Sequence, residues 1–177
     1  MSMISRAEER GEIKPGDTAE AAIATSVTDP ARYFLANVSK GLTLLEAMRR
    51  HGVSRMVFSS TAATYGEPVE IPVSEGHTLV PISAYGESKL MFERCLAWYH
   101  RAYGMRAIAL RYFNAAGATS ERGEARRDES HLIPLVLATA LGRRPAIDVF
   151  GTTSPTPDGT CVRDSVHVSA MARVHLA

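Results

Sequence analysis

Apolar positions along the chain recur at helical and strand spacings in turn. Between residues 29 and 52, Phe34, Val38, Leu42, Leu45 and Met48 fall three or four apart and predict one apolar stripe on a helix. Asp29 suits its N-cap and Pro30 its first position. Arg49, Arg50 and His51 fall in the last turn, where the helix dipole favours cations, and Gly52 can close it. The stretch "VSRMVFSS", 53–60, is short, mostly apolar and partly β-branched, so it reads as a buried strand. Residues 66–83 hold three prolines and two glycines and read as a surface loop. A second helix runs from about Tyr85 to Tyr103 and stops at Gly104. "MRAIALRYF" is the next strand, and a glycine- and charge-rich loop covers 117–130. "HLIPLVLATALGRR" predicts a third helix, "AIDVFG" a short strand, and Ser169 the cap of a last helix. Residues 1–24 are weakly patterned, with a turn at Lys14-Pro15-Gly16-Asp17, and predict an irregular start.

Helix, strand, helix, strand is the rhythm of a parallel sheet with crossover helices. The pattern therefore predicts a doubly wound α/β domain, with residues after about 115 passing into a smaller, irregular part. Composition agrees with a soluble globular protein: 177 residues, 45% of them apolar and 22% charged. A net charge of +1 gives no basic field for nucleic acid. No stretch reaches the length of a membrane span, and the charged start lacks the apolar core of a signal peptide. Cys95 and Cys161 are far apart and form no metal or redox motif, as expected in a reducing cytoplasm.

One short stretch carries candidate chemistry. "SAYGESK", 83–89, places Tyr85 and Lys89 four apart, on one helical face. An unperturbed phenol titrates near pH 10, and a nearby ammonium favours the phenolate. Such a tyrosine can take a proton from a sugar hydroxyl. The same spacing also occurs on ordinary surface helices with a solvated lysine, so the context decides. Upstream, "FSSTAATYG" offers the hydroxyls of Thr61 and Thr64 at the carboxyl end of a predicted parallel strand, where ligands of open α/β sheets bind. Thr61 to hold a substrate hydroxyl, Tyr85 as base and Lys89 to tune it make a plausible triad. Thr61 could equally cap the strand end.

Five segments in order, "FSSTAATYG", "SAYGESK", "ALRYFNAAGA", "HLIPLVL" and "FGTTSPTPDGTCVRDSVHV", resemble the extended short-chain dehydrogenase/reductases, the NAD-dependent epimerase/dehydratase family. Within it the set is similar to the UDP-glucose 4-epimerases, from about residue 24 to 177. The resemblance implies a partial Rossmann-like NAD-binding domain over 1–115, carrying Thr61, Tyr85 and Lys89, and the start of a nucleotide-sugar region over 116–177. It implies that Tyr85 takes the proton of the sugar 4-hydroxyl while hydride passes to NAD⁺, and that the 4-keto sugar turns over and receives the hydride on its other face. Lys89 would also contact the nicotinamide ribose, and its charge would depress the tyrosine's pKa.

Further roles follow from the same resemblance. Asn37 and Phe113 would contact the cofactor with Thr61, Tyr85 and Lys89. Asn114, His131, Leu132, Phe150 and Arg163 would contact the UDP-sugar, with His131 standing where some members have asparagine and Phe150 by the uracil. The guanidinium of Arg163 suits diphosphate oxygens. Helices over 30–51 and 84–103 would form a homodimer. Related 4,6-dehydratases place an Asp-Glu pair after the threonine, whereas this chain has Ala62 and Ala63, so dehydration is disfavoured. Ser165 stands where the epimerases commonly have tyrosine.

One part of the family pattern has no match. The glycines before residue 60 are Gly11, Gly16, Gly41 and Gly52, which cannot make the Gly-x-x-Gly-x-x-Gly turn that holds a dinucleotide pyrophosphate. The expectation is therefore a chain truncated at both ends, with an uncovered sheet face. Another nucleotide-sugar epimerase or reductase, or a non-catalytic module acting only in self-association, are the alternative functions.

Overall fold

The structure is a computed structural model, and it describes residues 23–123, 129, 131–149 and 151–176. The turn expected at 14–17 lies outside the described residues. The chain divides into two compact units, one ending at Tyr112 and the other beginning at Phe113.

In the first unit, a short helix α1 (Ile23–Thr28) leads to α2 (Pro30–Phe34), a π-helical turn (Leu35–Ser39) and α3 (Lys40–Arg50). The expected cap is present: the Asp29 side chain accepts from the Arg32 N–H at 3.3 Å, with Pro30 at the helix start. The π turn alters the expected stripe. One extra residue in that turn rotates the helix start, so Tyr33 and Asn37 face inward with Val38 while Phe34 is only half-buried. Gly41 is required further along. A Cβ there would lie 2.4 Å from the Phe92 ring, which presses on the helix backbone.

Strand β1 (Arg55–Thr61) pairs in parallel with β2 (Arg106–Tyr112), from Arg55 opposite Arg106 to Thr61 opposite Tyr112. The crossover is α4 (Ala84–Tyr103), which ends at Gly104 in the left-handed conformation. Leu45 and Met48 of α3, Phe58 of β1, Phe92 and Leu96 of α4, and Met105 form the core. The Phe58 and Phe92 rings lie 4.8 Å apart, tilted, a favourable aromatic arrangement. Strand β1 is not buried on both sides, as its composition predicts. Phe58 and Ser60 point inward, while Val57 and Ile108 on the other face are 36% and 63% exposed. The helices of this unit cover one face only, and the β-branched residues of the other face stand in solvent.

In the second unit, β3 (Asn114–Ala116) pairs in parallel with β4 (Ser165–His167). These strands are three residues each, too short for an alternating pattern to reveal them. Helix α5 (Leu132–Ala140) matches the expected third helix, though shorter. Residues 146–149 form no strand, contrary to the reading of "AIDVFG". Among the described residues no strand pairs with that segment, and an unpaired strand leaves its backbone groups without partners. Helix α6 (Val168–Leu176) begins one residue before Ser169, so Ser169 is not its cap. Instead the His167 ring accepts from the Ser169 N–H at 3.2 Å.

Candidate functional site

The carboxyl end of β1 runs into a 3-10 turn (Ala62–Thr64). Thr61 caps this turn: its hydroxyl accepts from the Ala63 N–H at 3.2 Å, and Thr64 donates to the Thr61 carbonyl at 2.9 Å. Helix α4 starts directly against it. The Ser83 side chain accepts from the Gly86 N–H at 3.1 Å, which fixes the first turn. Gly86 then lets that turn approach the strand end, because a Cβ there would meet the Ala63 carbonyl oxygen at 2.5 Å.

This close approach joins Tyr85 to Thr61. The two side chains lie beside one another, close enough for Thr61 to act on the phenol, and Tyr85 is buried with 9% exposure. Tyr33 meets the Tyr85 ring edge-on at 6.3 Å. One turn on, the buried Lys89 donates from Nζ to the Ser59 carbonyl at 3.1 Å. Its ammonium lies 5.1 Å from the Phe58 ring and 5.9 Å from the Tyr85 ring, at cation–π distance. Asn37 enters from the π turn: its amide donates to Ser88 Oγ at 2.9 Å, and Ser88 donates to the Tyr85 carbonyl at 2.8 Å. Thr61, Tyr85, Lys89 and Asn37 thus gather in one place.

The electrostatic balance differs from what the Tyr–Lys spacing predicts. Burial pushes the Tyr85 phenol above its ordinary value, the Thr61 side chain pulls it back in part, and Tyr33 adds to the rise. Burial holds the Lys89 ammonium below the usual lysine range. Lys89 does not bring the phenol down here, because desolvation dominates and the ammonium is turned to the Ser59 carbonyl.

The second unit holds the other predicted residues. Asn114 opens β3, and its amide donates to the Asp164 carbonyl at 2.7 Å. Arg163, one residue earlier, is exposed and donates to the Val162 carbonyl at 3.1 Å. His131 precedes α5 and lies 3.1 Å from the Glu129 carboxylate. Phe113 and Leu132 are 47% and 61% exposed. Neither is a core residue. Phe150 lies outside the described residues.

The profile of the NAD dependent epimerase/dehydratase family matches residues 18–177. The chain belongs to this family. UDP-glucose 4-epimerase of Corynebacterium glutamicum is 49% identical over 158 residues, which are 89% of this chain and 48% of that protein. The crystal structure of UDP-glucose 4-epimerase from Brucella ovis in complex with NAD superposes with a TM-score of 0.86 at 46% identity, over 90% of this chain and 50% of that one. The enzyme from Bifidobacterium longum, in complex with NAD⁺ and UDP, gives 0.85 at 34% identity, over 97% and 54%. The chain spans about half the length of the relatives it matches, and its fold is a partial α/β Rossmann-like one.

For a member of the epimerase/dehydratase family, the donor set of the first unit fits the nicotinamide–ribose end of the cofactor. Two hydroxyls and an ammonium converge at the carboxyl end of a parallel strand, the place where such folds bind ligands. The pyrophosphate end has no matching glycine turn in the sequence.

Several residues of the site carry no sequence signal that singles them out. The Ser59 contribution is a backbone carbonyl, and Ser88 and Gly86 are small residues within "YGESK". Glu93 and Arg111 are different. Glu93 is a charged residue on an otherwise buried helix face and follows Tyr85 and Lys89 at the same four-residue step, and Arg111 is a charged residue within an apolar strand sequence.

Proposed function

We propose that the chain is the catalytic segment of an NAD-dependent UDP-glucose/UDP-galactose 4-epimerase. The observation that carries this reading is the buried cluster of Thr61, Tyr85 and Lys89 at the end of a parallel strand, with Lys89 one helical turn from Tyr85 and bonded to the Ser59 carbonyl. Bound NAD⁺ supplies a hydride acceptor and donor for sugar C4. Thr61 holds the 4-hydroxyl of the sugar, and Tyr85 takes its proton and returns it after the 4-keto sugar has turned over. Lys89 offers donors to a ribose diol and positive charge beside the phenol. Since burial raises Tyr85, proton transfer depends on positive charge adjoining it in the loaded site. The alanines of the turn, Ala62 and Ala63, provide no acid for elimination of water.

Asn37 and Phe113 complete the cofactor contacts in this reading. Asn114, His131, Leu132, Phe150 and Arg163 hold the uridine diphosphate, so that 1–115 is the cofactor half and 116–177 begins the sugar-nucleotide region. Helices over 30–51 and 84–103 form a homodimer, supported by the exposed Leu35 and Trp98 upon them. Among the described residues no helix is long and apolar enough to cross a membrane, and the free cysteines suit a cytoplasmic location.

The test is turnover of UDP-galactose by the 177-residue chain with NAD⁺, with UDP-glucose as the measured product. Tyr85→Phe should lower kcat by about 10²–10⁴-fold. Equal turnover by Tyr85→Phe would refute the assignment. The exposed Val57 and Ile108 on the open sheet face favour one second reading, a non-catalytic module that self-associates. Calorimetry separates the two, since that module would bind no NAD⁺.

A further inference from the structure

Beside the Tyr–Lys pair lies a buried polar group that the proposed chemistry does not use. The Glu93 carboxylate accepts from Arg111 Nε at 3.1 Å and from Arg111 Nη2 at 2.6 Å, and it also accepts from the Ser60 hydroxyl. Both side chains are largely buried, 20% exposed for Arg111 and 11% for Glu93. The remaining arm of Arg111 donates to the Tyr65 hydroxyl at 3.2 Å, and the guanidinium stacks over the Tyr65 ring at 5.0 Å. Four segments meet here: the end of β1, the residue closing the 3-10 turn, the middle of α4, and the end of β2.

The placement relative to the site is specific. Tyr85, Lys89 and Glu93 step along one face of α4 at four-residue intervals. They meet three consecutive strand residues: Tyr85 lies beside the Thr61 side chain, Lys89 bonds the Ser59 carbonyl, and Glu93 bonds the Ser60 hydroxyl. Arg111 locks the third contact from the neighbouring strand. We infer that the Glu93–Arg111 pair is a positioning device, which fixes the register of α4 on the end of β1 and thereby holds Tyr85 on Thr61. A buried ion pair is a poor source of net stability, because desolvation offsets its attraction. Its directed hydrogen bonds instead select one arrangement of the two elements.

The inference deepens the epimerase reading and rests on it for its chemical meaning, but its test needs no turnover. The readout is the alkaline absorbance titration of Tyr85, taken as the difference between each chain and the same chain carrying Tyr85→Phe. The thermal midpoint is measured alongside. Glu93→Gln should move the phenolate midpoint upward, since Tyr85 moves away from Thr61, whose influence pulls it down. The double variant Glu93→Leu/Arg111→Leu should recover the thermal midpoint, as apolar replacement of a buried pair does, yet keep the displaced titration. Recovery of both would show a purely structural role and overturn the inference. An unmoved titration in Glu93→Gln would do the same. If Glu93→Gln fails to fold, the double variant decides alone. Where UDP-galactose is turned over, kcat should fall about 10²-fold with KM retained, as expected for misplacement of reacting groups. Absence of turnover in the parent chain would count against the epimerase reading and leave the titration result standing.

Discussion

Gly86→Ala tests whether close contact between α4 and the 3-10 turn builds the site. Within a helix this substitution ordinarily stabilises, by about 0.5–1 kcal/mol. Here the new methyl would lie 2.5 Å from the Ala63 carbonyl oxygen and 3.0 Å from the Ala63 carbonyl carbon. Both are backbone atoms of a turn held by Thr61 and Thr64, so they cannot swing aside. Ordinary contact begins at 3.4 Å, so the helix start must retreat by about 0.9 Å. Overpacking of this kind costs about 1–3 kcal/mol, which leaves a net loss of about 1 kcal/mol after the propensity gain. For a chain of this length that is a fall of about 2–4 °C in thermal midpoint. The retreat also opens the Thr61–Tyr85 contact, and a displacement of about 1 Å can cost about 10²-fold in rate. Calorimetric melting, with turnover of UDP-galactose, checks both numbers. Gly76→Ala is the control, because its added Cβ meets open space. A Gly86→Ala chain that melts higher than the parent and turns over at the parental rate would refute the reasoning.

Two further outcomes follow from the same structure. Phe92→Ala removes a ring that is 2% exposed and packed on Phe58 and Gly41, so it should cost about 3–5 kcal/mol and lower the thermal midpoint by about 10 °C; a change under about 1 kcal/mol in urea unfolding would contradict this core. Tyr99 donates to Glu46 at 2.7 Å, and burial with that bond pushes its phenol up to about 12. A raised folded value contributes stability that is complete below pH 10 and is lost as pH rises toward 12; melts across that window should show a decline that Tyr99→Phe flattens, and equal slopes would sink the assignment.

Elements with strong local signals were legible in the sequence. Asp29-Pro30 at one helix start and Gly104 at the other helix end act through the nearest few residues, so the sequence displays them directly. The π turn, β3 and β4 were not legible. The first depends on how Tyr33 and Asn37 pack against α4, and the strands hold three residues each and exist only through pairing across fifty positions. The strand expected at "AIDVFG" failed for the complementary reason, since strand composition forms no ladder without a neighbour.

The site divides in the same way. Tyr85 and Lys89 were legible because four-residue spacing is a property of the helix itself. The direction of their pKa shifts was not, because burial comes from Tyr33 and Phe58, which reach the pair through tertiary packing alone. Spacing can place a charge beside a phenol, but which effect wins depends on how much solvent the fold removes. In this chain burial outweighs the influence of Thr61, and the Tyr85 phenol sits above its ordinary value. Under the proposed reading Tyr85 transfers its proton only with positive charge beside it, which links that transfer to occupancy of the site.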